Sequence, residues 1–444
     1  MKQFIIKTGA VLPFILIAIL LIAALSESKV YIDITSPASR KIPIAIAGFN
    51  LFSSSEKPSE AVVRETLDVL TGDLDFSGFF DILDINTEMD EESEFDPENV
   101  DFKRWMDAGS ELLIKGGYSH HKEKDKLVIE LRLYDVVKEE LLIAKRYRGK
   151  RILLRQMVHR FSDQILKEIT GEKGIFETKV AYVSTSSDNK EIYMADYDGH
   201  NPRQVTNNGS INLSPQWSPF GKWLLYTSFK EGEAYLYVRN LSDNRDFRIS
   251  NHPGINIGAR WAPSGNEIAL TLSIDGNPEL YIMDIGTGEL KRLTKNRGID
   301  VSPTWSHNGE RLAFVSDIGG SPQIYAIDRN AKNLKRLTSK GKYHASPAWS
   351  PTQDKIVFSK LEGGRFNIWL MNSDGTQQVR LTFNSGDNEE PSWSPDGRYI
   401  TFNSNRDGYP SVYIMRADGT GQRKITRGND PSWSPFFRKG GTIQ

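Results

Sequence analysis

A tryptophan recurs at an unbroken interval of 44 residues, at Trp217, Trp261, Trp305, Trp349 and Trp393, with a sixth copy at Trp433. A fixed period of this size means that one supersecondary unit stacks on its own copies, because a single unit cannot bury its apolar face alone. Twenty residues after each of the first five tryptophans stands an aromatic: Tyr237, Tyr281, Tyr325, Trp369 or Tyr413. Thirteen further on comes Ser250, Thr294, Thr338, Thr382 or Thr426. Between these landmarks lie short alternating apolar runs, as in Ile400, Phe402 and Ser404, separated by glycine turns such as SPDG and ADGT. They predict strand, turn and strand in succession. Four strands in a unit of this length make a propeller blade.

The sixth copy is cut short, since the chain ends at Gln444 without the strands that should follow Trp433. Those strands stand at the front of the array, where residues 180–206 align without a gap on residues 400–426 and lack a tryptophan segment of their own. The C-terminal DPSWSP segment is therefore expected to pair as the inner strand of the first blade. That pairing closes a six-bladed ring and removes the exposed edges of an open array.

Residues 29–174 lack the period and read as a separate α/β domain ahead of the propeller at 175–444. Within it, KVYIDITSP and KIPIAIAGF are strand candidates. A helix carries Val63, Leu67, Leu70 and Leu74 on one stripe with Ser59 as its N-cap, and a short helix surrounds Trp105. LVIELRLYD and LLIAKRYRG form a hairpin, and a last helix aligns Leu153, Met157, Phe161, Ile165 and Ile169. The fold class is thus multidomain, an N-terminal α/β domain followed by an all-β six-bladed propeller. Residues 1–28 have the layout of a cleaved secretory signal: Lys2 and Lys7, an apolar run over 10–25 interrupted by Pro13, then Ala24, Ser26 and Ser28. That run falls short of the roughly 20 residues a spanning helix needs.

Chemistry-bearing patterns are scarce. The chain has no cysteine, which removes disulfides, thiolate metal sites and cysteine nucleophiles together, and its net charge of −1 argues against a nucleic-acid surface. No GxSxG, HExxH, phosphate-binding loop or dinucleotide fingerprint occurs. His120 and His121 are adjacent on a predicted strand, so they point to opposite faces and make a poor metal pair. Asp73, Asp75, Ser77, Gly78 and Asp84 mimic a calcium loop, but the twelfth position holds Asp rather than Glu and no amphipathic helix follows. Gly78 reads instead as a helix C-cap before the strand FFDIL. The acidic run at 88–98 reads as a solvated loop. No catalytic, cofactor or metal residue is assigned.

Binding is the remaining role. The loop entering each innermost strand opens on one face around the central channel, and Pro215, Pro303, Pro347, Pro391 and Pro431 mark that strand two residues before its tryptophan. The residues just ahead of them differ between blades: Asn256 and Gly258, Asp300 and Val301, His344 and Ala345, Glu389 and Glu390, Asn429 and Asp430. A uniform framework with a variable rim presents one specific surface, so these residues are the expected partner contacts.

The signal segment, the short α/β domain, LDFSGFFDIL, the junction KEITGEKGIFETKVAYV and the WSPDG repeats together resemble the TolB family, periplasmic propeller proteins of the Tol-Pal system. The resemblance covers the whole chain. Ala262, His307 and Gln353 depart from the repeat motif, so the turns after Trp305 and Trp349 are expected to differ in type. What the resemblance implies is a monomeric periplasmic adaptor, without cofactor, that binds the peptidoglycan-associated lipoprotein Pal through the propeller face. It implies a second partner, the inner-membrane protein TolA, bound through the mature N-terminus. Here that segment is residues 29–35, with Val30, Ile32 and Ile34 as an apolar face alternating with Tyr31 and Asp33. Such a strand can dock on its own domain or add to a partner. Through Pal the protein would be peripheral to the outer membrane and support its constriction at division. The alternative from another class is a glycan- or peptide-active propeller enzyme with carboxylates at the channel mouth, Asp300 with Glu389.

Overall fold

The structure is a computed structural model, and it describes residues 40–52, 59–84, 95–121, 125–184 and 189–437. The signal segment, residues 29–35 and most of the acidic run lie outside these residues.

The N-terminal domain is a five-stranded sheet with two long helices packed on it. In chain order it comprises β1 (Ile42–Leu51), α1 (Glu60–Ser77), β2 (Phe80–Ile82), α2 (Phe102–Asp107), β3 (Leu112–His121), β4 (Lys126–Asp135), β5 (Glu140–Gly149) and α3 (Leu154–Thr170). The spatial order is β2-β1-β3-β4-β5, with β1 parallel to both neighbours and β3, β4 and β5 antiparallel. The helix stripes hold at Leu70 and Leu74 and at Met157, Phe161 and Ile165, and shift by one residue at their N-terminal ends. Val62, Thr66, Val69, Leu70 and Leu74 are the buried face of α1, with Val63 and Leu67 only flanking it. In α3 the stripe begins at Leu154, because Leu153 belongs to the preceding 3-10 turn and is 41% exposed. Ser59 does not cap α1 with its hydroxyl; its backbone N–H instead donates to the Tyr118 hydroxyl at 2.9 Å. Gly78 ends α1 in the left-handed conformation at φ +82°.

The propeller follows as expected. Five four-stranded antiparallel sheets begin at inner strands Asn212–Trp217, Asn256–Trp261, Asp300–Trp305, His344–Trp349 and Asn388–Trp393, here called blades II to VI. Blade I is composite: Asn429–Trp433 pairs with Lys179–Ser184, placing Trp433 opposite Val180. The seam is fastened by the Trp433 indole donating to the Thr178 hydroxyl at 2.8 Å and by Ser434 N–H donating to the Lys179 carbonyl at 2.8 Å.

Each motif residue has a mechanical task. The indole N–H of Trp217, Trp305 and Trp393 donates to the carbonyl of Ser432, Arg260 or Ala348, the residue before the preceding blade's tryptophan. The hydroxyls of Thr206, Thr294, Thr338 and Thr382 accept the N–H of a third-strand residue and so secure the outer edge. Of the two turns expected to differ, only one does: Gly309 after Trp305 keeps a φ of +73°, close to Gly397 at +71°. After Trp349, Gln353 is absent from the positive-φ positions and donates its N–H to the Ser350 hydroxyl instead.

The two domains share one continuous core. Leu70, Leu74 and Phe76 of α1 and Val158, Phe161 and Ile165 of α3 cluster with Val180, Tyr197, Tyr399, Ile414 and Trp433 of blades I and VI. The contacts use the turns after the first and third strands, so the N-terminal domain covers the face on which the tryptophan ends of the inner strands lie. Arg416 of blade VI caps α1, donating to the carbonyls of Phe76 at 3.1 Å and Asp75 at 2.5 Å, where the helix dipole is negative. Asp73, the first residue of the calcium mimic, turns into this joint: its carboxylate accepts from His159 Nδ1 at 2.9 Å and from the Tyr197 hydroxyl at 2.5 Å.

Candidate functional site

Each inner strand starts on the face away from the N-terminal domain and breaks register before its proline or alanine. The break is made by one residue with positive φ: Ser214, Gly258, Ser302, Ser346, Glu390 or Asp430, with φ between +48° and +64°. For five of the six this is the left-handed region that non-glycine residues avoid, at roughly 1–2 kcal/mol each. The bulge re-aims that residue toward the axis. All six line the central cavity of 550 Å³, together with Gln216, Arg260, Thr304, Ala348 and Ser392 from the position before the tryptophan in blades II to VI.

The charges of the cavity are asymmetric. Glu390 and Asp430 from adjacent blades supply two carboxylates, and Arg260 from blade III supplies one guanidinium. Glu390 Oε2 accepts from Asn403 Nδ2 at 2.6 Å and from the Asp430 backbone N–H at 2.9 Å. Asp430 Oδ2 accepts from Ser214 N–H at 2.5 Å. Burial first, then the neighbouring Asp430 carboxylate, pushes Glu390 up to about 8. Burial likewise raises Asp430, opposed by Arg260. The Arg260 guanidinium is lowered by burial while both carboxylates act to hold it up. Arginine stays charged nonetheless.

The expected rim residues separate into three layers. Asn256, Asp300 and His344, first in their strands, are 0% exposed and therefore not on the rim. They close the incoming loop: Asn256 Oδ1 accepts from the Ser250 hydroxyl and its Nδ2 donates to the His252 carbonyl, both at 2.7 Å. Asp300 Oδ2 accepts from Asn296 Nδ2 at 2.6 Å. Burial, with Lys360 and Arg336 adding to it, lowers His344 to about 4. Val301, Ala345, Glu389 and Asn429 are half-buried one residue later. Gly258, Glu390 and Asp430 reach the channel. The carboxylates that converge are Glu390 and Asp430, not Asp300 and Glu389, which stand on blades IV and VI with a blade between them.

A fourth layer lies outside the expected contacts. One residue ahead of the buried layer stand Ile211, Ile255, Ile299 and Tyr343, which are 43%, 38%, 49% and 41% exposed. They repeat at the same 44-residue interval and form an apolar crescent on blades II to V, joined by exposed Ile274 and Ile318 from the turns after the second strands. On blades VI and I the equivalent residues are Asp387 and Arg427, which interrupt it. The signal was present in the sequence, since large apolar residues recurred where a loop would ordinarily be polar. Among the described residues no group of three or more acidic or histidine side chains is arranged to hold a metal, and no helix is long and apolar enough to cross a membrane.

A family model described as the TolB beta propeller domain matches residues 166–437, and one described as the TolB amino-terminal domain matches residues 30–142. A Tol-Pal system protein TolB of Desulfosudis oleivorans is 39% identical over 204 residues, 46% of either chain. One of Syntrophotalea carbinolica is 42% identical over 210 residues, 47% of this chain and 48% of its own. The chain thus spans about half the length of the curated relatives it matches. The crystal structure of TolB from Acinetobacter baumannii is similar over 90% of this chain and 98% of that one, with a TM-score of 0.76 at 28% identity.

Proposed function

Because the chain belongs to the TolB family, with the propeller and amino-terminal matches together spanning most of its length, we propose that it is a non-enzymatic periplasmic adaptor of the Tol-Pal system. It binds a Pal-like peptidoglycan-associated lipoprotein through the propeller face away from the N-terminal domain. It binds a TolA-like inner-membrane protein through residues 29–35, and it supports outer-membrane constriction at division. The observation that carries the reading is the apolar crescent of Ile211, Ile255, Ile299 and Tyr343 on the face away from the N-terminal domain. Exposed apolar residues grouped on one face favour a protein partner. Glu389, Glu390, Gly258, Val301, Ala345, Asn429 and Asp430 supply the polar centre of that contact.

Two pull-downs test it. Deleting residues 29–35 should abolish capture of the TolA-like protein and leave Pal capture in place; unchanged TolA capture would sink the N-terminal assignment. Reversing Glu389 and Glu390 to lysine should weaken Pal binding, and wild-type affinity would discredit that centre. A second reading, a channel enzyme, has the convergence of Glu390 and Asp430 in its favour. Release of reducing ends from peptidoglycan by the wild-type chain, lost in Glu390→Gln, would establish it in place of the adaptor.

A further inference from the structure

The blades also differ at the turn between their second and third strands, on the same face as the crescent. In blades II, III and VI that turn carries Glu231, Asp275 or Asp407. Each accepts the hydroxyl of the third-strand tyrosine: Tyr237 to Glu231 at 2.5 Å, Tyr281 to Asp275 at 2.6 Å, Tyr413 to Asp407 at 2.7 Å. Each also pairs with a fourth-strand cation: Arg248 with Glu231, Arg292 with Asp275 at 2.7 Å, Lys424 with Asp407 at 3.1 Å. In blade V the carboxylate is displaced by one residue, and Arg380 meets Glu362 at 3.4 Å.

Blade IV has the tyrosine and the arginine but no carboxylate at the equivalent turn position. Its turn residue is Gly319, and a Cβ placed there would stand 2.9 Å from the Tyr325 hydroxyl and 3.1 Å from Arg336 Nη1. The second acid that Arg292 uses in blade III, Glu279 at 3.1 Å, is replaced in blade IV by Gln323. Arg336 holds the same posture as its counterparts, with Nε donating to the Thr338 carbonyl at 2.6 Å as Arg292 and Arg380 do to Thr294 and Thr382. Its Nη groups and the Tyr325 hydroxyl have no acidic partner among the described residues. The notch is flanked by Ile299 and Ile318, 49% and 45% exposed, and the Ile299 N–H donates to Asp317 beside it.

We propose that the blade IV notch receives one carboxylate side chain from a partner polypeptide, an acidic residue with apolar neighbours that lie on Ile299 and Ile318. Three sibling blades display the arrangement that the incoming group completes, a carboxylate held by a phenol and a guanidinium or ammonium. A free small anion would leave the flanking isoleucines uncovered, so the polypeptide is the occupant that fits both chemistries. The inference rests on the reading that this face takes a protein partner.

The test uses the mature chain and the periplasmic domain of the Pal-like lipoprotein, with affinity measured calorimetrically. Gly319→Asp supplies the carboxylate in cis, as blade III does, and Arg336→Gln removes its receptor. Each should weaken binding at least fivefold while the thermal midpoint stays at or above the wild-type value. Ile255→Asp, on the same face but remote from the notch, reports on the face itself. If Ile255→Asp loses affinity while Gly319→Asp and Arg336→Gln keep it, the face stands and the notch assignment is overturned. If all three bind like wild type, the face reading fails. The notch is then decided by the Arg336 side-chain ¹⁵N resonance titrated with N-acetyl-Ile-Glu-Ile-amide. Saturation that disappears in Gly319→Asp supports it, whereas no saturation, or equal saturation by sodium acetate, overturns it.

Discussion

Ser302 and Gly258 occupy the same bulge position in neighbouring blades with φ of +55° and +64°, yet only one of them is free of the left-handed penalty. Ser302→Gly should therefore raise stability by about 0.5–1 kcal/mol, read from urea unfolding midpoints; a loss would mean that the serine side chain holds the channel wall. Glu390 adds electrostatic strain to conformational strain. Its carboxyl is raised above the ordinary value to about 8, so the folded state binds its proton more tightly than the unfolded chain does. The associated stability is complete below about pH 4.5 and is lost as pH rises through about 8. Between pH 5 and 9 the protein should lose on the order of 2 kcal/mol by this route, after allowance for screening in an open channel. Glu390→Gln should flatten the dependence, measured as thermal midpoint against pH.

At the scale of the element, the inner strand carries both architecture and function, and the two occupy alternate residues. Its tryptophan hooks the preceding blade, so Trp393→Phe, which keeps the ring but loses the 2.9 Å bond to the Ala348 carbonyl, should cost about 1–2 kcal/mol. Removing residues 429–444 takes away the inner strand of blade I and exposes the edge at Val180. Loss of a single cooperative melting transition is expected, and an unchanged melt would mean that the ring does not depend on its seam. The period, the blade count and the closure were legible because tryptophan, turn glycine and threonine recur at fixed positions and perform the same task in most blades. The burial of Asn256, Asp300 and His344 was not legible. Polar residues at a predicted rim suggest solvent, and only the loop groups that bond Asn256 and Asp300, together with the full burial of all three, reveal an interior position. The crescent at Ile211, Ile255, Ile299 and Tyr343 was in plain sight at the same period, one residue upstream of the positions chosen by their variability.

For the whole molecule, the decisive feature is a charged joint between the domains that no sequence motif announced. His159 of α3 is 3% exposed, with Nδ1 bonded to Asp73 at 2.9 Å and Nε2 facing Asp198 of blade I at 3.4 Å, an ionic contact rather than a hydrogen bond. Arg155 also pairs with Asp198. Burial alone would lower the imidazole, but Asp73 and Asp198 outweigh it and push the group up to about 10. The stabilisation is then fully present below about pH 6.5 and lost as pH rises through about 10, so the joint should loosen under alkaline rather than acidic conditions. His159→Leu leaves the buried Asp73 carboxylate without its cation, while Asp198 keeps Arg155, and should cost roughly 3–5 kcal/mol. Amide exchange should increase on α1, α3 and blade I together; exchange confined to α3 would contradict a joint shared by both domains.

That fixed joint leaves the opposite face free for a partner, which is the central claim. Its most direct measurement is the affinity of the mature chain for the periplasmic domain of the Pal-like lipoprotein, compared with that of Ile255→Asp/Ile299→Asp. A saturable complex with the wild-type chain, weakened at least tenfold in the double variant with its thermal midpoint unchanged, is the predicted result. Equal affinity for both chains would contradict it.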